Sequence, residues 1–174
     1  MSVPLPVRDL TADAFRPYGR LIERPARERD ADGPGWSWWA ETVLLEGDGR
    51  SWGVGYLDLE PSASRFDWAE RHMRSLEAIV PVDGSCLVYV APPEHPEDPG
   101  RLPGFDRFEV FRVPPGSGVV MDAGVWHGAP LADTGAARAI VLLLEGTGRE
   151  DVTLVRFEDT PVEIDRPPTG AQED

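Results

Sequence analysis

The chain contains no lysine and no asparagine. Without lysine, neither a side-chain Schiff base nor a P-loop lysine is available, which removes two large groups of enzymes. A single cysteine, Cys86, cannot close an intrachain disulfide, so nothing in the sequence calls for an oxidising compartment. Long apolar runs are missing too. The longest aliphatic stretch covers residues 139–144, far below bilayer length, and the first ten residues hold no apolar segment of the signal-peptide kind. The expectation is a soluble, cytoplasmic protein with no membrane partner. Positive charge is also scarce: 31 acidic residues face 17 arginines, for a net charge of −14. Such a surface repels phosphate backbones, and no nucleic-acid partner is expected.

What is present points to an all-β fold. A length of 174 residues suits one core, read as a single domain over residues 1–165 with a disordered tail over 166–174. Glycine and proline, 18 of each, punctuate the chain at a density that helices do not tolerate. One short N-terminal helix is expected over 11–18, capped by Thr11 and closed by Pro17 and Gly19. Strands are expected at 19–23, 40–45, 52–59, 66–72, 77–82, 86–91, 107–113, 118–121, 125–129, 138–145 and 152–157. In 107–113, Phe108, Val110 and Arg112 alternate with Glu109, Phe111 and Val113, the pattern of a strand with one core face and one wet face. Residues 139–144 are apolar throughout and read as buried on both faces. Asp83-Gly84 reads as a hairpin turn and 92–104 as a solvated loop.

Only three histidines are available, and His95 lies in the Pro/Glu-rich loop, facing water. His72 ends the run Phe66-Asp-Trp-Ala-Glu-Arg-His72, where a two-residue period puts Trp68, Glu70 and His72 on one face. Glu77 follows after a short turn and is expected beside His72. A tight turn over Asp122–Gly124 aims His127 from a further strand. Four ionisable groups, Glu70, His72, Glu77 and His127, are thus expected to converge. Two ionised carboxylates in proximity repel, so either one keeps a proton or a divalent cation compensates them. Two imidazoles with a carboxylate suit Ni, Mn, Zn or Fe with open positions for substrate. The alternative is that the histidines are hydrogen-bonded core residues and Glu70 pairs with Arg71 or Arg74.

These spacings resemble the two cupin motifs, with His72, Glu77, Gly84, Gly116, Gly124 and His127 in place and Glu70 standing for the first histidine. Closer still, Leu10-Thr-Ala-Asp-Ala-Phe15, Glu70-Arg71-His72 and Val125-Trp126-His127 resemble segments of the ureidoglycolate lyase family, whose members are cupins. The resemblance implies a cupin-type double-stranded β-helix, or jelly-roll, barrel that splits ureidoglycolate into glyoxylate and urea. It assigns catalysis to Glu70, His72 and His127, a divalent metal to His72, Glu77 and His127, and substrate contacts to Glu70, Trp68 and Trp126. A homodimer is expected on the same ground, with the partner ligand a small organic acid. Glu77 stands where the family usually carries Gln, and a full acidic ligand tightens a metal site. That keeps open an isomerase, dioxygenase or decarboxylase acting on another small acid. A third reading is a non-catalytic barrel in which Trp36, Trp38, Trp39 and Trp52 wall a ligand.

Overall fold

Successive side chains of a strand point to opposite faces, and in this chain both faces of the central strands are covered. In Glu109–Val113, Val110 packs with Tyr89, Phe108 and Trp126, while its neighbour Phe111 packs with Phe15, Val88 and Met121. The expected wet face of this strand is therefore absent. The computed structural model describes residues 3–166, which form two principal sheets.

The larger sheet runs in the order Thr153–Arg156, Trp68–Arg71, Trp126–His127, Cys86–Ala91, Glu109–Val113, Leu5–Asp9, Val162–Asp165 and Arg65–Phe66, with Leu131–Ala132 attached to Cys86–Ala91. The smaller runs Gly19–Ile22, Gly118–Met121, Glu77–Asp83, Ala137–Leu144 and Trp52–Leu59. One core lies between them: Ile79, Val119, Met121 and Ala139 come from the smaller sheet and Val88, Val90 and Phe111 from the larger. A second core, with Phe66, Tyr89, Phe108 and Trp126, lies on the other side of the larger sheet. Among the described residues, helix is confined to Ala12–Phe15 and Thr147–Glu150, plus one turn of 3-10 helix at Phe105–Arg107. This two-sheet, nearly helix-free architecture is the cupin-type barrel.

Several expectations need correction. The Asp83-Gly84 turn joins no hairpin, because Glu77–Asp83 and Cys86–Ala91 belong to different sheets and the turn carries the chain across the core. No strand forms at 40–45; a separate hairpin of Ala31–Gly33 and Trp36–Trp38 precedes that region. The segment 66–72 is broken at Asp67 into Arg65–Phe66 and Trp68–Arg71. Ile140 through Leu143 are only half-buried: Val141 and Leu143 pair with Gly55 and Gly53 of the edge strand, and Ile140 and Leu142 pair with its exposed Tyr56 and Val54. The helix expected over 11–18 is one turn, with the Thr11 hydroxyl accepting from the Ala14 amide at 3.2 Å. Arg166, expected in the tail, is anchored by donating to the Ala132 and Asp133 carbonyls at 3.0 and 2.6 Å. The rest of that tail lies outside the described residues.

Candidate active site and metal centre

The site forms where the two sheets face each other. Glu70 and His127 are direct cross-strand partners on Trp68–Arg71 and Trp126–His127, so their side chains leave the same face. Glu77 opens its strand on the opposing sheet, flanked in register by Met121 and Leu143. The turn before His127 ties the two histidine segments together. Gly124 adopts φ of 85°, a left-handed conformation natural to glycine, and its amide donates to the His72 carbonyl at 2.6 Å. The Val125 amide donates to the Asp122 carbonyl, completing the turn.

Both imidazoles are oriented from behind. His72 Nδ1 lies 2.9 Å from the Asp151 carbonyl oxygen and His127 Nδ1 lies 2.9 Å from the Val125 carbonyl oxygen. A carbonyl only accepts, so each Nδ1 carries the proton and each Nε2 is turned inward. Asp151 also fixes the approach to His72, its carboxylate accepting from the Met73 and Arg74 amides at 3.0 and 2.8 Å. Glu77 Oε2 sits between the two inward nitrogens, 3.2 Å from His72 Nε2 and 3.1 Å from His127 Nε2. All three residues are buried. Burial by itself would raise the Glu77 carboxyl. The charge of His127 and the hydrogen bonds from both imidazoles reverse that and hold it at about 2. Burial likewise pushes the His127 imidazolium down, and Glu77, by charge and hydrogen bond, lifts it above its ordinary value.

The donor chemistry of this cluster fits a metal ion. With each Nδ1–H engaged, neutral imidazoles would point two lone pairs at a carboxylate oxygen, a repulsive arrangement relieved by protonating the rings or by a cation. Separations of 3.1 and 3.2 Å suit ligands that each stand ~2.1 Å from one ion. Glu70, His72 and His127 offer ligand atoms that all lie within 4.8 Å of one another, so Glu70 stands beside the same point. Among the described residues, the Glu70 carboxylate has no hydrogen-bond or ion-pair partner; Arg74 pairs with Asp151 instead.

A hollow of about 190 Å³ opens over the cluster, walled by Glu70 and Glu77 on the acidic side and by Gly55, Val141, Leu143 and Pro130 elsewhere. No basic residue lines it. The structure thus brings Glu70, His72, Glu77 and His127 together. Trp68 and Trp126 do not line the hollow. Trp126 follows the strand period onto the face opposite His127, in the second core, where the Arg71 guanidinium sits 4.6 Å above its ring. Trp36 and Trp38 are exposed on their hairpin and Trp52 packs with Leu76 and Ala78, so no aromatic wall forms. Sequence reasoning missed Asp151, which lies 79 positions from the histidine it holds and carries no local motif.

Two facing sheets around a buried cluster of two histidines and a glutamate define a cupin-type barrel with a candidate metal centre. The model of the ureidoglycolate lyase family matches residues 2–165, and the chain belongs to that family of lyases. It is 34% identical over 138 residues to the ureidoglycolate lyase of Rhodobacter capsulatus, covering 76% of this chain and 80% of that protein. It is 32% identical over 155 residues to ureidoglycolate lyase 1 of Rhizobium meliloti, covering 85% and 86%. Among solved structures, it is similar to the sugar 3,4-ketoisomerase QdtA from Thermoanaerobacterium thermosaccharolyticum, with a TM-score of 0.46, 16% identity, and coverage of 76% of this chain and 85% of that one.

Proposed function

We propose that this protein cleaves ureidoglycolate to glyoxylate and urea, with Glu70 as the group that moves the proton. The observation that carries the reading is the unpartnered Glu70 carboxylate beside a closed His72–Glu77–His127 cluster in one hollow. Family membership supports the substrate.

A divalent ion held by His72, Glu77 and His127 would supply Lewis-acid attraction for the substrate's carboxylate and hydroxyl oxygens. That ion is Ni, Mn, Zn or Fe by donor type. When bound, it would also offset the negative charge of the two carboxylates, Glu70 and Glu77, that wall the hollow. Glu70 takes the proton from the carbinol hydroxyl. The oxygen's electron pair then forms the aldehyde carbonyl as the carbon–nitrogen bond breaks toward nitrogen. Returning the proton from Glu70 to that nitrogen releases urea and regenerates the carboxylate. The Asp151 and Val125 carbonyls keep the two rings aimed throughout.

The direct test is glyoxylate release from racemic ureidoglycolate. Activity in His127→Ala equal to that of the wild type would remove the assignment. A second reading keeps the pocket but changes the reaction to isomerisation, decarboxylation or oxygenation of another small acid. It rests on Glu77 being a full acid placed between both imidazoles. Iron in stoichiometric amount with oxygen uptake would favour it over the lyase reading.

A cytoplasmic homodimer completes the proposal. Cys86 is buried and free, and its thiol is pushed up to about 11 by burial, as suits a reduced structural residue. The strand Trp52–Leu59 is a sheet edge that exposes Val54 and Tyr56, a natural seat for a second copy.

A further inference from the structure

Two positions of the edge strand Trp52–Leu59 that face the site carry no side chain. Gly53 pairs with Leu143 and Gly55 with Val141, and the next strand in turn sets Leu143 beside Glu77 and Val141 beside Ile79. Both glycines therefore lie in the rows of the sheet that point toward the cluster. The fold itself requires glycine elsewhere: a Cβ at Gly19, Gly84 or Gly118 would strike backbone at 1.9, 2.6 or 2.8 Å. Gly53 and Gly55 are different. Neither has positive φ. A Cβ on Gly55 would stand 3.6 Å from the Val141 carbonyl oxygen and one on Gly53 3.5 Å from that of Leu143, both ordinary contacts.

A glycine inside a strand weakens it, so an edge strand with two that the backbone does not demand gives up stability for something. What it gains is space. Gly55, Val141 and Leu143 line the hollow over Glu70 and Glu77, and the same three line a second hollow of about 380 Å³ that continues past Gly53 toward Gly146. Sharing these three residues, the two are taken together as one trough. Its reacting end carries two carboxylates and, among the described residues, no basic group; Val141, Leu143 and Tyr56 line its middle, and Glu145 and Arg149 both line the far hollow. Such walls repel a second carboxylate near the cluster and accept N–H donors there.

We propose that Gly55 is a specificity-determining residue: with Gly53 beyond it, it holds open the trough that receives the nitrogen-bearing leaving arm of the substrate, an arm that is uncharged and carries N–H groups. This rests on the reading of the cluster as the reacting centre of a lyase and adds which part of the acid the wall selects.

The test compares full-length wild type, Gly55→Ala and Gly55→Val, each with its metal complement measured. Calorimetric titration uses ureidoacetate, which lacks the reacting hydroxyl, succinate as a dicarboxylate of similar length, and glycolate, which has no arm. The wild type should prefer ureidoacetate to succinate by about tenfold or more. Gly55→Val should lose about tenfold or more for ureidoacetate while keeping glycolate within about twofold, with metal content unchanged. Its thermal midpoint should be no lower than that of the wild type, which a merely structural role for the glycine does not allow. Gly55→Ala should fall between. The proposal is overturned if Gly55→Val binds ureidoacetate like the wild type, if it loses all ligands alike, if it changes the oligomeric state, or if the wild type binds no ureidoacetate. Selective binding with no glyoxylate formed from ureidoglycolate would instead defeat the lyase reading and leave the trough standing.

Discussion

At the scale of single residues, the cluster makes separable predictions. Glu70→Gln should retain metal content yet lower kcat by about 10²-fold or more, because the amide cannot take the hydroxyl proton. Glyoxylate release beside elemental analysis checks this. The electrostatics also set a pH window for the metal-free protein. Glu77, held at about 2, contributes stability above the ordinary carboxylate range, and that contribution is lost as pH falls through its depressed value. His127, raised, contributes fully below its ordinary imidazole range and loses its contribution as pH rises through its lifted value. Thermal melts of chelator-treated protein should therefore peak between those limits and decline on both sides. Added metal should flatten the alkaline decline, because the ion replaces the protons. These residues were legible in the sequence because Glu70-Arg-His72, Glu77 and the Asp122–Gly124 turn before His127 lie within short segments whose parity fixes their side. The same parity rule, applied to Trp126 next to His127, already turns that indole away from the site, and the assignment by resemblance overlooked it.

At the scale of elements, two clamps hold the cluster from outside. Asp151 fixes the turn after His72 through two charge-assisted hydrogen bonds. Asp151→Ala should leave the fold intact but weaken metal binding about 10- to 100-fold in competition with a chelator. Arg71, wholly buried over Trp126, donates to the carbonyls of Glu94, His95 and Asp98 at 2.8, 3.0 and 3.0 Å. The acidic loop that reads as solvated is thus pinned to the barrel, and Arg71→Ala should cost at least about 2 kcal/mol in denaturant unfolding. Strands with strong alternating or β-branched runs, such as Cys86–Ala91 and Gly118–Met121, were readable end to end. Leu5–Asp9 and Val162–Asp165 were not: they pair in parallel across nearly the whole chain, and Pro6 weakens the local pattern. The Asp83-Gly84 turn misled for a related reason. A local signal marks where a chain reverses but not which sheet it enters next.

At the scale of the whole molecule, the proposed homodimer would form through the open edge of the smaller sheet. Val54 and Tyr56 are 70% and 57% exposed on a strand whose first six residues carry no charge. On that proposal the wild type should sediment as a dimer and Tyr56→Asp as a monomer in sedimentation velocity. Salt should act on the wild type in the opposite sense. Two copies of net charge −14 repel, and screening over ~10 Å at 0.1 M should tighten the pair as ionic strength rises. Composition and turn density sufficed for an all-β barrel, and two motifs in register narrowed it to a cupin. The exposed edge was hidden because residues 139–144 look fully buried when read alone, whereas the edge strand beside them sets glycines against Val141 and Leu143 and exposed side chains against Ile140 and Leu142.

The carbonyl of Asp151 that steadies His72 has a bearing on biosynthesis. A ribosome-bound chain halted before that residue would already hold all three histidines and both glutamates, yet one ring would swing freely and grip an ion poorly. If the cluster holds an ion as proposed, tight capture would wait until synthesis had passed Asp151, and a chain truncated before that residue should take up metal more weakly than the full chain.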